Sequence, residues 1–383
     1  MARLGIAIAT LIGTIIGAGI LGIPYVVAKS GLIAGLADLI GIGLLLTVLN
    51  LYLGEIALRT KGNHQLTGYA EKYLGKKGKL ILAVSMIIEI YGALLAYTIG
   101  EGTSFYSILG FGSPFAYSLI FFALGGILVY HGLKTIGKAE FWMDMFLIAV
   151  ICIVFILSIP HISTPNFEAG KGNIFIPYGV ILFACLGITS VPLLKEELAG
   201  ERKKVKKAII IGSLIPVAIY AAFTLCVVGI IGINGFNSLS ENERIASAAL
   251  NIFVDGPMGI LINIFAILAM GTSFLALGTA LTEMYKYDYK IKKAAAVLLT
   301  LTVPFVLFII NSFYSLTNFI QILGITGAVA GGITGNLIVI MFHKAKKHGE
   351  RRPEYTIKAH YLLSAILIIV FAAGIAYSIA QII

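Results

Sequence analysis

The sequence predicts an all-α polytopic membrane protein with eleven transmembrane helices, and three observations carry that prediction. Composition is the first: 59% of residues are hydrophobic, only 12% are charged, and the mean hydropathy is +0.98. A soluble domain carries about 25% charged residues. The second is the recurrence of apolar runs near the ~20 residues needed to cross a bilayer. They fall at 4–28, 32–58, 79–108, 115–131, 143–160, 175–195, 207–233, 258–284, 291–310, 314–342 and 359–382. The third is charge distribution. Of the 28 lysines and arginines, 25 lie in alternate linkers, and only Lys29, Lys171 and Arg244 fall on the other side. The positive-inside rule then puts the N-terminus in the cytoplasm and the C-terminus outside. The net charge of +10 is therefore a topology signal, and no nucleic-acid partner is expected. Cys152, Cys185 and Cys226 all lie in apolar runs without metal-site spacing, so neither a disulfide framework nor a zinc site is indicated.

Span 1 is the segment on which the rest depends. It contains Gly13-Thr14-Ile15-Ile16-Gly17-Ala18-Gly19-Ile20-Leu21-Gly22-Ile23-Pro24, four glycines and a proline inside a run that should be helical. The Gly17–Gly19 pair falls ~20 Å into the helix, near mid-membrane. Broken backbone at that depth is tolerated only inside protein or beside a wet cavity. A half-helix N-terminus there offers free amides to an anion, so Gly17, Ala18, Gly19 and Ile20 are candidates to bind a carboxylate. The plainer reading is a glycine face for close helix packing.

Span 3 carries Glu89, ~15 Å from the start of its helix and the deepest carboxylate by span position. An intramembrane acid is a candidate proton carrier, or a neutral acid bonding a neighbouring helix. Asp38, Glu55, Glu101 and Asp144 lie nearer span ends and are expected at the interface. Tyr91 and Tyr97 either line a site or pack helices.

Spans 1–5 and 6–10 occupy blocks of similar length, and each block opens with a glycine- and proline-interrupted span. Five spans per block would invert the second relative to the first, as in transporters with a central site. The expected organisation is a first repeat at 1–160, a second at 174–343 and a separate helix at 358–383.

Span 6 repeats the interruption. Small residues cluster at Ala184, Cys185 and Gly187, followed by Thr189, Ser190 and Pro192. Unwinding here would expose carbonyls around Phe183, Ala184 and Gly187 to an ammonium group; an ordinary proline kink is the alternative. Span 1 amides and span 6 carbonyls together describe an amino acid as substrate. In span 8, Thr272 and Ser273 either bond carbonyls one turn back or offer oxygens to a hard cation. In span 10, Asn318 and Gln321 either gate or hold that helix to its neighbours.

The stretch Gly17-Ala18-Gly19-Ile20-Leu21-Gly22-Ile23-Pro24 resembles the GAGILGLP signature of the amino acid/auxin permease family, within the amino acid-polyamine-organocation superfamily. Phe183-Ala184-Cys185 with Pro192 and Lys195-Glu196-Glu197-Leu198 is similar to its sixth helix, and Leu323-Gly324-Ile325-Thr326-Gly327 to its tenth. The resemblance implies the five-plus-five inverted repeat of the bacterial leucine transporter. It also implies sodium-coupled symport of neutral amino acids by alternating access, in the plasma membrane. In that fold a sodium ion lies between helices 1 and 8, and the matching positions are Gly13, Ile16, Ala269, Thr272 and Ser273. Two departures are visible. Many relatives have a histidine where this chain has Ile188. Some proton-coupled relatives place a lysine in helix 5, and Trp142 to Pro160 contains none, which favours sodium. The rivals are a proton-coupled symporter using Glu89 and a non-transporting amino acid sensor. No HExxH, Ser/His pair or nucleotide-binding loop points to an enzyme.

Overall fold

The computed structural model describes residues 2–131, 136–167, 172–254, 256–287 and 289–382, with side chains undescribed over 136–144 and at 2 and 382. The described residues are helical throughout the apolar runs and contain no strand. The helices are α1 (Ala2–Ile15), α2 (Ile23–Ser30), α3 (Leu32–Arg59), α4 (Leu66–Leu109), α5 (Pro114–His131), α6 (Ile136–Ser158), α7 (Tyr178–Cys185), α8 (Val191–Glu197), α9 (Val205–Ser238), α10 (Ala246–Phe253), α11 (Pro257–Tyr287), α12 (Lys293–Tyr314), α13 (Phe319–Thr326), α14 (Gly332–His348) and α15 (Tyr361–Ile382).

Eight helical stretches among the described residues are long and apolar enough to cross a membrane: 32–59, 66–109, 114–131, 202–238, 257–287, 293–314, 319–348 and 361–381. Spans 1, 5 and 6 are not among them: spans 1 and 6 are each broken in two, and span 5 counts as a shorter apolar helix, 145–161, among the described residues. Span 1 becomes α1 and α2, separated by Gly17 in extended backbone (φ −133°, ψ −155°) and a single 3-10 turn at Ala18–Leu21. Span 6 becomes α7 and α8, separated where Leu186 turns extended (φ −71°, ψ 111°). Pro24 and Pro192 sit in the first turn of the resumed helices, where their missing N–H is harmless.

Two long helices bend at glycines in left-handed backbone, Gly75 in α4 (φ 76°) and Gly232 in α9 (φ 62°). The Gly75 bend ends an amphipathic lead-in, which is why the apolar run of span 3 begins only near residue 79. Short α10 adds a helix in the link before α11, its eight residues covering only ~12 Å. Span 10 is α13 and α14 joined by a π turn at Gly327–Gly331. Asn318 and Gln321 form the capping box of α13: Asn318 Oδ1 accepts from the Gln321 amide at 3.0 Å, and Gln321 Oε1 accepts from the Asn318 amide at 3.2 Å.

Helices α3, α9 and α13 pack against the broken pairs, and α11 meets the 3-10 turn of span 1. Tyr52, Tyr69, Tyr220, Phe265, Phe274 and Phe342 are among the largest fully buried side chains. The basic residues sort by end. At one end Glu55 is fully buried yet bonded by Arg59 Nε (2.8 Å), Lys346 Nζ (2.8 Å) and the Ile357 amide (2.6 Å). Lys72 pairs with Glu350 there, and Arg3 reaches the Ala199 carbonyl. At the other, Lys29 and Arg244 both lie against the Tyr25 ring, 5.7 and 5.3 Å from its centroid. The linkers grouped together by charge thus meet in space. Glu55 corrects one expectation: it is a buried, paired carboxylate, because α14 and the 350–360 linker fold over the end of α3.

Candidate functional site

The two breaks touch. A methyl group placed on Gly19 would lie 2.6 Å from the Cα and Cβ of Ala184, so Gly19 allows the 3-10 turn of span 1 to rest on the end of α7. Packing therefore accounts for Gly19 directly. Ala18, Ile20 and Ala184 are buried beside this contact, whereas Gly17 and Phe183 keep partial exposure. Gly187 packs on α1: a methyl there would meet Leu11 and Ile15 at 2.8 and 2.9 Å.

Tyr220 of α9 ties the breaks together. Its fully buried hydroxyl donates to the Ile15 carbonyl at 2.5 Å, at the end of α1, and lies 3.2 Å from the Ala184 carbonyl near the end of α7. The Ile15 carbonyl also accepts from the Gly17 amide at 3.0 Å, whereas the break leaves the Ala184 carbonyl without an intrahelical amide. Sequence reading missed Tyr220. An aromatic residue in a long apolar helix carries no local mark of function; the only signal was its place in the span after the second break.

Opposite Gly17 stands α11. A methyl on Gly17 would lie 3.0 Å from Ser273 Oγ. Thr272 Oγ1 donates to the Ala269 carbonyl at 3.2 Å. Gly271, Thr272 and Ser273 are all partly exposed although they sit mid-helix. Gly13 and Ile16 lie one turn and one residue before Gly17, and line a crevice with Ile12 and with Leu147 and Ile148 of α6. The structure thus brings Gly17 and Ser273 face to face. Gly13 and Ile16 open instead toward α6.

Helix α4 closes the third side and separates the two tyrosines. Tyr97 reaches the Ser273 hydroxyl. Tyr91 packs helices, its hydroxyl meeting Tyr285 Oη and the Leu299 carbonyl, both at 2.9 Å. Glu89 is partly exposed while surrounded by protein, within electrostatic range of Tyr97. Glu101 departs from expectation. It is fully buried, and neither carboxylate oxygen has a hydrogen-bond partner among the described residues. Distance from a span end does not measure depth in a bundle; α11 and α5 cover this part of α4. Asp144, also expected at the interface, lies outside the described side chains.

Accessibility around the breaks is lopsided. Helix α2 is buried from Ile23 to Ala28, and α7 from Tyr178 to Leu182. On the side of the basic cluster, Thr14 of α1 and Thr189 before α8 are exposed. Span 1 and span 6 are thus buried more completely on their halves nearer Lys29 and Arg244 than on those nearer Arg3 and Lys195.

Comparison with known proteins places this arrangement. The manganese transporter of Eremococcus coleocola shares the fold: TM-score 0.67 at 15% identity, over 99% of this chain and 87% of that one. "Tyrosine-specific transport system 1" of Haemophilus influenzae is 28% identical over 280 residues, 71% of this chain and 70% of its own. "Glutamine transporter 2" of Aliivibrio fischeri is 25% identical over 331 residues, 83% of each chain. The sequence pattern of the tryptophan/tyrosine permeases matches residues 3–381. The chain is an integral membrane permease rather than an enzyme, and it belongs to the tryptophan/tyrosine permease family.

Proposed function

We propose that this protein is a sodium-coupled symporter of neutral amino acids, working by alternating access around the two breaks. The observation that carries the reading is the direct apposition of the span 1 turn and the end of α7, both anchored by one hydroxyl, Tyr220. Relatives named for tyrosine and glutamine transport support an amino acid as cargo. The amides of Gly17, Ala18, Gly19 and Ile20 bind the carboxylate, those of Gly17 and Ile20 leaving the Ile15 and Gly17 carbonyls to which they now donate (3.0 and 3.4 Å). The ammonium takes carbonyls near Phe183 and Ala184; the Ala184 oxygen has a second lone pair beyond the one facing Tyr220. Phe183, partly exposed, closes over the cargo. Gly187 contributes by letting α1 pack closely.

Sodium is cargo in this scheme. The Ala269 carbonyl and Thr272 hydroxyl, 3.2 Å apart, can share a cation at ~2.4 Å from each, and Ser273 adds a third oxygen facing Gly17. Carbonyls of Gly13 and Ile16 complete the set once α1 moves toward α11. Sodium and substrate drive transport only by binding the two end states unequally. The wider scheme has eleven crossings, two inverted repeats at 1–160 and 174–343, kinship with the amino acid/auxin permeases, a plasma-membrane location and a cytoplasmic N-terminus.

The test is radiolabelled tyrosine and glutamine uptake into proteoliposomes under an imposed sodium or pH gradient. Sodium-driven accumulation that disappears in Thr272→Ala and Ser273→Ala is the expected outcome. Accumulation insensitive to sodium removes the ion site, and an undiminished Glu89→Gln variant removes Glu89 as a proton carrier.

A further inference from the structure

Two buried carboxylates in this molecule are treated in opposite ways. Glu55 is charged and satisfied, with Arg59, Lys346 and a backbone amide on its oxygens. Glu101 is equally buried, and its oxygens have no hydrogen-bond partner among the described residues. Its Oε1 points at α11, 3.4 Å from where a methyl on Gly271 would lie, with Phe121 on the far side of that position at 3.9 Å. Met270 and Phe319 pack at the adjoining Gly100, and Phe121 pairs with the Phe274 ring at 5.0 Å. The nearby hydroxyls are engaged elsewhere. Thr98 donates to the Leu94 carbonyl, Thr103 to Ile99, Ser118 to Thr98, and Ser104 pairs with Ser247.

Charged and titratable groups on the packed elements also look away. Tyr97 is directed at Ser273 and Tyr117 at the Phe111 carbonyl. Glu241 bonds Asn318, and Arg244 bonds the Phe236 carbonyl and Tyr25. Helices α10 and α13 contain no titratable side chain. Glu89, Tyr285 and Glu283 lie one or more helical turns further toward the opposite end of α4 and α11.

An ionised carboxylate cannot be held in such a place without a partner, because desolvation outweighs any interaction left to it. A proton or a metal cation could complete it. A hard cation needs about six oxygens, whereas Oε1 faces Gly271 with the Phe121 ring nearby, and the neighbouring hydroxyls are engaged. One proton suffices. We propose that Glu101 is a proton-binding site of the transport cycle, occupied in the sealed state seen here and emptied when α4 and α11 part. The carboxylic acid then gives its proton to entering water and becomes a carboxylate. Closure of the half of the bundle near Lys29 and Arg244 therefore requires protonation from that side. The site is separate from the Thr272–Ser273 hydroxyls, and its role in transport rests on the transport reading above.

The experiment uses the full-length protein in proteoliposomes, as wild type and as Glu101→Gln, which mimics the protonated acid. Infrared spectroscopy reads the carbonyl stretch of a protonated buried carboxyl without any substrate. It is expected in the wild type at neutral pH and absent from the variant. Radiolabelled tyrosine and glutamine uptake is then followed from about pH 6 to about pH 8. Wild-type uptake is expected to fall by about tenfold, and Glu101→Gln to transport with a flat profile. A missing band in the wild type overturns the proposal without need of the variant. So does a variant whose uptake keeps the wild-type pH fall. A wild type that carries the band and transports neither amino acid sinks the transport reading, and with it the role of Glu101 in the cycle, leaving only a neutral structural acid.

Discussion

Tyr220 shows how one hydroxyl can set the geometry of a broken-helix site. Two helix ends, from segments 170 residues apart in sequence by their numbers (Ile15 and Cys185), place carbonyls beside one phenol. Replacing it by phenylalanine keeps the ring and strips the donor. The Ile15 carbonyl keeps the Gly17 amide, but the Ala184 carbonyl becomes a buried unsatisfied acceptor, which costs ~1–3 kcal/mol. Tyr220→Phe is expected to lower the apparent melting temperature of the detergent-purified protein and to weaken tyrosine binding by about fivefold or more, one kcal/mol being worth that factor. Scintillation proximity binding checks the second effect; unchanged affinity would mean that the phenol only packs. Residues of this kind explain where sequence reading stopped. Gly17, Gly19 and Pro24 were legible because they contradict a helix locally, and Thr272–Ser273 because two adjacent hydroxyls interrupt an apolar run. Tyr220 and Glu101 contradict nothing nearby. Their meaning comes from what α1, α7 and α11 bring to them.

At the scale of elements, α8 is too short to be stable alone, at seven residues. It persists because three ties hold it. Thr10 of α1 donates to Glu197 Oε1 at 2.9 Å, Arg3 reaches the Ala199 carbonyl at 2.8 Å, and Lys195 donates to the carbonyls of Thr60 (2.9 Å) and Gly62 beyond the end of α3. Lys195 is buried, at 3% exposure, and its ammonium meets the unsatisfied carbonyl end of α3, where positive charge is favoured. The accessible side of the breaks is bounded by these same ties. Lys195→Met removes the donor and keeps the apolar stem. It is expected to speed thiol labelling of a Thr189→Cys reporter by about fivefold for each kcal/mol of lost tie. An unaltered labelling rate would show that α8 is held by packing alone. Span boundaries were legible to within a few residues because apolar runs end at charge. The ties were not, because Lys195 and Arg3 look like topology signals whatever they bond.

At the scale of the whole molecule, charge sorting and the lopsided seal share one axis. The basic end carries the accessible faces of α1 and α8, and the Lys29–Arg244 end is closed over α2 and α7. Charge patterning made the grouping of linkers legible; which side was sealed required the packed chain. The linker after α14 locks the basic end through Glu350, which accepts from Lys72 Nζ at 2.5 Å and from the Lys61 amide at 2.8 Å. The bond from Lys72, reinforced by the Lys61 amide, holds the Glu350 carboxyl below its ordinary value of 4.5. A depressed carboxyl stabilises the fold fully above its unfolded value, and the effect is lost only as pH falls through the lower, folded value. The Glu350 lock is therefore constant from about pH 8 to about pH 5, and salt rather than pH weakens it there, since exposed pairs are screened. Glu350→Gln is expected to leave the pH profile of uptake unchanged across that window and to lower thermal stability most at low ionic strength. A profile that flattens in Glu350→Gln would move proton sensitivity from the membrane-embedded acids to this linker, and with it the basis for separating the two ends.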